Sequence, residues 1–372
     1  MPVSRRTFIH STSALFASTL VSSTCLAYAL SNEEQSAHDE VTKLSADFTL
    51  TFASPYNTHE ADYIPHLHQV FKHHVETMSQ GKIYVDIQDG GRVGSGTDLM
   101  AAVTRGRVDA ALISVSNLSR ALPVLDVLNI PFWASSNQAF LNLISSHYWQ
   151  QQVVNQIKTQ GVVEILFHYI TGGRTLSTTK HTNKVIKTPN DLRGLVLRVP
   201  ASKVLKQFYS MTDAHVIELK WDKVASMARS GHINVLDPGV IGLYAGPDQL
   251  RESISTISHF NSVPDAWVNV VNQKWLSQLP LPLKLIVREA AHHTFLNQIS
   301  RLSEVENNCN LAFQQAGCTL FTPDNELMAQ WQDQFGQHRH EWRDVKKQLV
   351  GSVRAFNILL EATNTPSKYQ LG

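Results

Sequence analysis

Cysteine is scarce in this chain, with three in 372 residues. An excess of charge of either sign is missing too, since 32 Lys and Arg stand against 31 Asp and Glu for a net charge of +1. A near-neutral chain with no Lys/Arg block interleaved with aromatics carries no electrostatic footprint for nucleic acid. Beyond the N-terminus no stretch approaches the ~20 consecutive apolar residues that a membrane helix needs. H-E-x-x-H and C-x-x-C are both absent, so zinc chemistry lacks its usual ligands. The 17 histidines do not replace them. His66, His68, His73 and His74 are the densest group, but on a helix His66 and His73 stand ~10 Å apart along the axis and His68 points elsewhere. A solvated polar face is expected there, not a metal site. No G-x-S-x-G elbow occurs. The segment Gly90-Gly91-Arg92-Val93-Gly94-Ser95-Gly96 lacks both the Gly-Lys-Ser/Thr ending and the G-x-G-x-x-G spacing of phosphate loops, and reads as a turn with left-handed glycines. These absences leave no catalytic constellation, no metal and no cofactor on which to build an activity.

What is present begins with an export signal. Ser4-Arg5-Arg6-Thr7-Phe8-Ile9 precedes a mildly apolar, hydroxyl-rich run over 14–29. That is a twin-arginine signal in outline, with His10 where a basic residue is common. Ala27-Tyr28-Ala29 offers a small-x-small cleavage site, so residues 1–29 are expected to be a signal peptide, with an ordinary secretory signal as the alternative. Cys25 has no leucine three residues before it, which argues against a lipoprotein anchor. After processing, Cys309 and Cys318 remain. In an oxidising compartment they are expected to bridge across the end of a helix over 302–316 and the Gly317 turn, two inert buried thiols being the alternative.

Roughly 340 mature residues exceed what one core usually serves, so two lobes are the default. Residues 30–46 are polar and acidic and are expected to link signal and fold. Alternation over 48–52 predicts a strand, followed by an amphipathic helix over 60–79 with Tyr63, Leu67, Val70, Phe71, Val75 and Met78 on one face. A strand over 83–87, a helix over 97–105 and a strand over 108–113 complete a βαβαβ start to a largely parallel, helix-covered α/β sheet. The alternation resumes with strands over 162–169, 196–199, 215–219 and 233–236 and helices over 201–209 and 222–229. Residues 273–315 read as mostly helix, long enough to brace both lobes.

Lys187 to Pro200, K-T-P-N-D-L-R-G-L-V-L-R-V-P, sets Arg198 inside an otherwise apolar strand. A guanidinium is always charged and offers a planar fork of donors, so an anion must meet it, from the protein or from a bound solute.

Several segments in order resemble the solute-binding proteins of TRAP transporters, the tripartite ATP-independent periplasmic family. They are Ser79-Gln80-Gly81-Lys82-Ile83, Val103-Thr104-Arg105-Gly106-Arg107-Val108-Asp109-Ala110, Leu128-Asn129-Ile130-Pro131-Phe132, Thr188-Pro189-Asn190-Asp191-Leu192-Arg193-Gly194 leading to Leu197-Arg198-Val199-Pro200, and Val271-Asn272-Gln273-Lys274-Trp275 with Leu279-Pro280. The resemblance implies a two-lobe periplasmic binding protein fold of type II-like form, its lobes joined by crossing strands and a long bracing helix. Residues 47–171 with 264–302 would form lobe I, and 172–263 with 303–372 lobe II. It implies a periplasmic receptor that is no enzyme, captures a small organic carboxylate and delivers it to TRAP permease subunits for ion-gradient-driven uptake, with monomer the default state.

In this family Arg198 is the residue that pairs with the ligand carboxylate, and Arg174 stands where many relatives carry a second arginine. Trp221 falls where relatives place an aromatic over the ligand, with core packing as its alternative role. Asn57 and Ser114 complete the expected ligand-binding set. Departures bear on specificity. Asn234-Val235-Leu236-Asp237-Pro238-Gly239 puts Asp237 in place of a longer acid and Pro238 in place of a ligand-touching side chain, and Lys223 stands where relatives prefer Glu. Asp237 has three possible roles: pairing with an arginine, hydrogen bonding to a ligand donor, which is preferred, or helping to hold a bridging cation. The rival functions are a Tat-exported periplasmic enzyme and a sensory ligand-binding protein.

Overall fold

The computed structural model describes residues 32–58, 67–134 and 136–372. The signal peptide, its cleavage site, Cys25, Tyr63 and His66 lie outside the described residues. Helix α1 (Asn32–Ser45) forms a unit of its own where the sequence predicts a linker. Glu, Gln, Ala and Lys are good helix formers, and the segment holds no Pro or Gly to interrupt them.

From Ser45 onward the chain is one compact unit containing two sheets. The first has the order β2 (Ile83–Gln88), β1 (Phe48–Ala53), β3 (Ala110–Ser114), β10 (Pro264–Asn272) and β4 (Val163–Gly173). The second runs β11 (Thr319–Phe321), β9 (Ile254–Ser258), β5 (Leu176–Thr179), β8 (Val235–Leu236), β6 (Val196–Val199) and β7 (His215–Glu218). β1 pairs in parallel with β2 and β3, as the βαβαβ pattern predicts, and β6 pairs in parallel with β7 and β8. β10 inserts antiparallel between β3 and β4. Around the first sheet stand α2 (Leu67–Met78), α3 (Thr97–Thr104), α4 (Asn137–Ser145), α5 (His147–Trp149) and α6 (Asn155–Thr159); around the second stand α7 (Lys203–Ser210) and α8 (Trp221–Arg229), while α9 (Val240–Tyr244) packs on β4 of the first.

The chain passes between the sheets from β4 to β5, back from β9 to β10, and again by way of α11 to β11, and the first two passages are pinned together. Pro264 pairs with Gly173, and the Arg174 amide donates to Val263 O at 2.8 Å. Gly172 and Gly173 serve this crossing. Gly172 has φ +89°, and a Cβ on either residue would collide with a side chain, Glu306 or Asn261. Helix α10 (Gln273–Gln278) ends before Pro280, and α11 (Leu281–Gln315) follows. Its 35 residues at ~1.5 Å each span roughly 50 Å. It packs on α2, α9 and β4 on the side of the first sheet and on β11 of the second. Gln298 grips the β4 edge through Ile170 N and O, and Arg288 meets Glu164 at 2.7 and 3.0 Å. Helices α12 (Asn325–Phe335), α13 (Arg343–Val350) and α14 (Val353–Thr363) close the chain, with α14 packed on α4.

The expected Cys309–Cys318 bridge is not formed, and both are buried thiols. Cys309 faces the core from α11, while Cys318 precedes β11 and donates to Ile254 O at 3.2 Å. The two thus face different surroundings. Burial pushes the Cys318 thiol up, a hindrance to thiolate-dependent exchange. A chain starting at residue 30, denatured without reductant, should titrate two reactive thiols; a titre of zero would restore the bridge.

His168, buried in β4, accepts from the Trp149 indole N–H at 3.0 Å. Indole only donates, so Nε2 of His168 must stay unprotonated for this bond to exist. Burial lowers the His168 pKa to about 3. Its neutral form therefore contributes fully above the unfolded pKa near 6.5, and that contribution is lost as pH falls toward 3. From pH 6.5 to pH 5 the loss should be about 2 kcal/mol. Urea unfolding of His168→Gln, which keeps an acceptor but cannot titrate, should show a shallower pH dependence over that window than the parent; identical slopes would refute this assignment.

Candidate functional site

The ends of β1, β3, β6 and β8 converge on one cleft between the sheets, as ligand sites in open α/β folds do. The first sheet contributes Pro55, Tyr56, Ser114, Asn117, Asp265 and Trp267, with Gly96 at the start of α3; the second contributes Arg198, Pro200, Trp221 and Pro238. Arg174 lies in the crossing itself. The cleft holds about 390 Å³ of atom-free space, its open mouth included.

Arg198 projects from the face of β6 opposite to Leu197 and Val199, both of which are fully buried. Its Nε and Nη2 donate to Leu219 O at 2.9 and 2.7 Å, and its Cζ lies 5.3 Å from the Trp221 ring. The carbonyl and the ring orient the fork, but neither neutralises it. Among the described residues no carboxylate stands within ion-pair distance of this guanidinium, which is 3 % exposed. Burial lowers its pKa to about 10, Arg174 pushes the same way, and Asp237 and Asp265 only partly oppose them.

Arg174 is the opposite case. Nη1 donates to Asp237 at 3.0 Å, and Nη2 donates to Asp265 at 2.9 Å and to Ser116 Oγ at 2.8 Å. Burial pulls its pKa down, yet Asp265 and Asp237 more than offset that and hold it above the ordinary arginine value. Asp265 also accepts from the Gly239 amide at 2.9 Å. Asp237 is fully buried behind Pro238, and burial pushes its carboxyl up while the two arginines oppose. Of the three roles open to Asp237, this geometry places it in a pair with an arginine.

The residues expected from sequence divide clearly. Arg198, Arg174, Trp221 and Ser114 line the cleft together; Asp237 reaches it only through Arg174; Asn57 is exposed beside Gly90 and lines no part of it. Lys223 is at the surface, 3.4 Å from Asp222. Tyr56, Asn117, Asp265 and Trp267 were missed. Asp265 and Trp267 did carry a signal, since in Pro264-Asp265-Ala266-Trp267 they alternate at the start of a mostly apolar strand. The glycine segment forms left-handed turns, with φ +60°, +75°, +115° and +54° at Gly90, Gly91, Gly94 and Gly96. His68 is buried and its pKa is lowered to about 4 by that burial, and His74 stacks toward His293 with ring centres 5.3 Å apart. Among the described residues no group of three or more His, Cys, Asp or Glu is arranged to hold a metal ion.

A family model for bacterial extracellular solute-binding proteins, family 7, matches residues 59–344. The chain belongs to that family. A solute-binding protein of Roseobacter denitrificans is 24% identical over 164 residues, covering 44% of this chain and about half, 49%, of that relative. Solved neighbours are TRAP periplasmic solute-binding proteins. One from Shewanella oneidensis with bound succinate has a TM-score of 0.75 at 19% identity, over 86% of this chain and 99% of that one. One from Anaerococcus prevotii with bound D-glucuronate gives 0.76 at 16%, over 86% and 100%. A sugar acid binding protein of Advenella mimigardefordensis in complex with galactonate gives 0.77 at 15%, over 86% and 98%. Near-complete coverage of these chains shows that the family 7 fold here is the two-lobe α/β one. Among the described residues no helix is long and apolar enough to cross a membrane.

The Arg174 cluster is buried on all sides, so removing one carboxylate leaves charge uncompensated. Asp265→Ala should lower unfolding free energy by about 3 kcal/mol, the low end for a broken buried pair because Asp237 remains. Equilibrium denaturation checks this, and a change below about 1 kcal/mol would mean that the cluster is not a structural unit.

Proposed function

We propose that this family 7 protein is the periplasmic receptor of a TRAP transporter and binds a small organic carboxylate through Arg198. The observation that carries the reading is a buried guanidinium, lining the cleft between the sheets, that no carboxylate among the described residues neutralises. An unpaired buried charge is costly, and a ligand carboxylate meeting the fork removes that cost. Succinate, D-glucuronate and galactonate in the structural neighbours share this one feature, a carboxylate. In this reading the lobes are built on the two sheets, 47–171 with 264–302 on the first and 172–263 with 303–372 on the second. Hinge closure about the crossing strands excludes water and strengthens the Arg198 contact. Residues 1–29 export the chain by the twin-arginine route, the loaded monomer hands its solute to membrane permease subunits driven by an ion gradient, and no bond in the solute is broken.

Arg198→Ala then removes a charge-assisted pair in a water-excluded site, a loss of about 2 to 5 kcal/mol, or roughly thirtyfold to several thousandfold in affinity. Arg198→Lys should recover only part, because an ammonium cannot reproduce two parallel hydrogen bonds. As Arg198 holds no internal ion pair, the melting temperature of the ligand-free protein should hold or rise. Calorimetric titration and thermal melts of both variants decide the matter: normal binding by Arg198→Ala, or a melting loss as large as the affinity loss, would end this assignment.

A further inference from the structure

We propose that the cleft selects a monocarboxylate bearing hydroxyl or oxo oxygens and discriminates against dicarboxylates. The inference rests on the carboxylate reading of Arg198 and adds what the rest of the ligand must be. A second ligand carboxylate would need a second cation, and among the described cleft-lining residues that leaves only Arg174. Arg174 is already claimed by two carboxylates, Asp237 at 3.0 Å and Asp265 at 2.9 Å. Arg174 with its two acids is a group of net charge −1, and one of those acids, Asp265, faces the cleft. A ligand carboxylate there would be the third around one guanidinium, which is repulsive in a buried site.

The unspent hydrogen-bonding atoms point the same way. Nε of Arg174 and the indole nitrogens of Trp221 and Trp267 are buried without a partner, and all three belong to cleft-lining residues. Each of these can only donate, so each calls for an acceptor on the ligand. Tyr56 Oη and Ser114 Oγ, also without partners and cleft-lining, can meet a hydroxyl in either sense. Unmet buried donors are costly in a closed site, and neutral oxygens satisfy them without adding charge beside Asp265. Hydroxyl and oxo groups on a monocarboxylate supply such oxygens.

The test titrates the chain from residue 30 with pairs that differ by one carboxylate: galactonate and galactarate, glucuronate and glucarate, lactate and malate, succinamate and succinate. The monocarboxylate should bind more tightly in every pair that binds, by about 100-fold for the best pair, as like-charge juxtaposition predicts. Asp265→Asn, which leaves Arg174 one acid and takes the group from a net charge of −1 to neutral, should shrink that ratio to about tenfold or less. A dicarboxylate that binds as well as its partner overturns this inference and leaves the carboxylate reading standing. No binding by any member overturns both. Should Asp265→Asn fail to fold, the ratios of the parent protein decide alone; should it fold and keep the ratio, charge at Arg174 is not the cause and the inference falls.

Discussion

The clamp around Arg174 is the constraint on which the rest of the structure depends. Its guanidinium sits where the chain leaves the first sheet for the second, and it holds three separate segments at once: Asp265 at the start of β10, Asp237 just after β8, and Ser116 beyond β3. Buried ion clusters add little net stability over well-packed apolar groups, yet breaking one is expensive. Such a cluster tolerates few arrangements, and so it fixes the position of the crossing strands better than an apolar contact would. The paired glycines before it allow that close approach, since any side chain at Gly172 or Gly173 would strike Glu306 or Asn261.

From the clamp the network continues into the fold. Ser116 donates to Asn129, Asn129 donates to Asp126 at 2.8 Å, and Asp126 accepts from Ser202 at 2.6 Å, at the start of α7 beyond β6. Ser119 donates to the same carboxylate. Buried and hydrogen-bonded, this chain of polar groups reaches the start of α7, three residues beyond the strand that carries Arg198. The two arginines are thereby given different tasks by their surroundings. Arg174 has its charge met inside the protein and is structural; Arg198 has its direction set by Leu219 O and Trp221 while its charge is left open.

Much of this was legible in the sequence where local pattern and burial agree. The strand over 196–199, the parallel β1–β2–β3 unit and the long helix follow from periodicity, because each side chain's face is set by a period of two or of 3.6 residues. β5 and β9, Leu-Ser-Thr-Thr and Ile-Ser-Thr-Ile-Ser, were not, since hydroxyl residues read as loop until cross-strand partners such as Thr178 and Thr256 satisfy them. The last three helices went unread although Asp324 and Ser352 cap two of them. Polar, acidic composition marks residues 30–46 as a linker, where propensity makes a helix over Asn32–Ser45. For the site, Arg198 was legible because a charge inside an apolar run is anomalous by itself. The partners of Arg174 were not, because Asp237 and Asp265 lie 63 and 91 residues away from it in the chain and nothing local relates them.

Placing Arg174 at the crossing has a mechanical consequence. A cleft whose walls come from two sheets changes shape only by bending the strands that join them, and here those strands carry the buried ion cluster. Movement about the hinge must therefore leave Arg174 with its acids or expose a charge to an apolar surround, which restricts motion to torsions outside the clamp. The contacts at the mouth are of a different kind. Lys220 meets Asp98 at 2.7 Å with both side chains about half exposed, and Ser95 meets Asp222 at 3.3 Å. An exposed ion pair such as Lys220–Asp98 is worth little and is screened by salt. In the closure proposed above such contacts can break and form at little cost, so closure would have to be stabilised from within, by what meets Arg198 and the unpartnered donors around it.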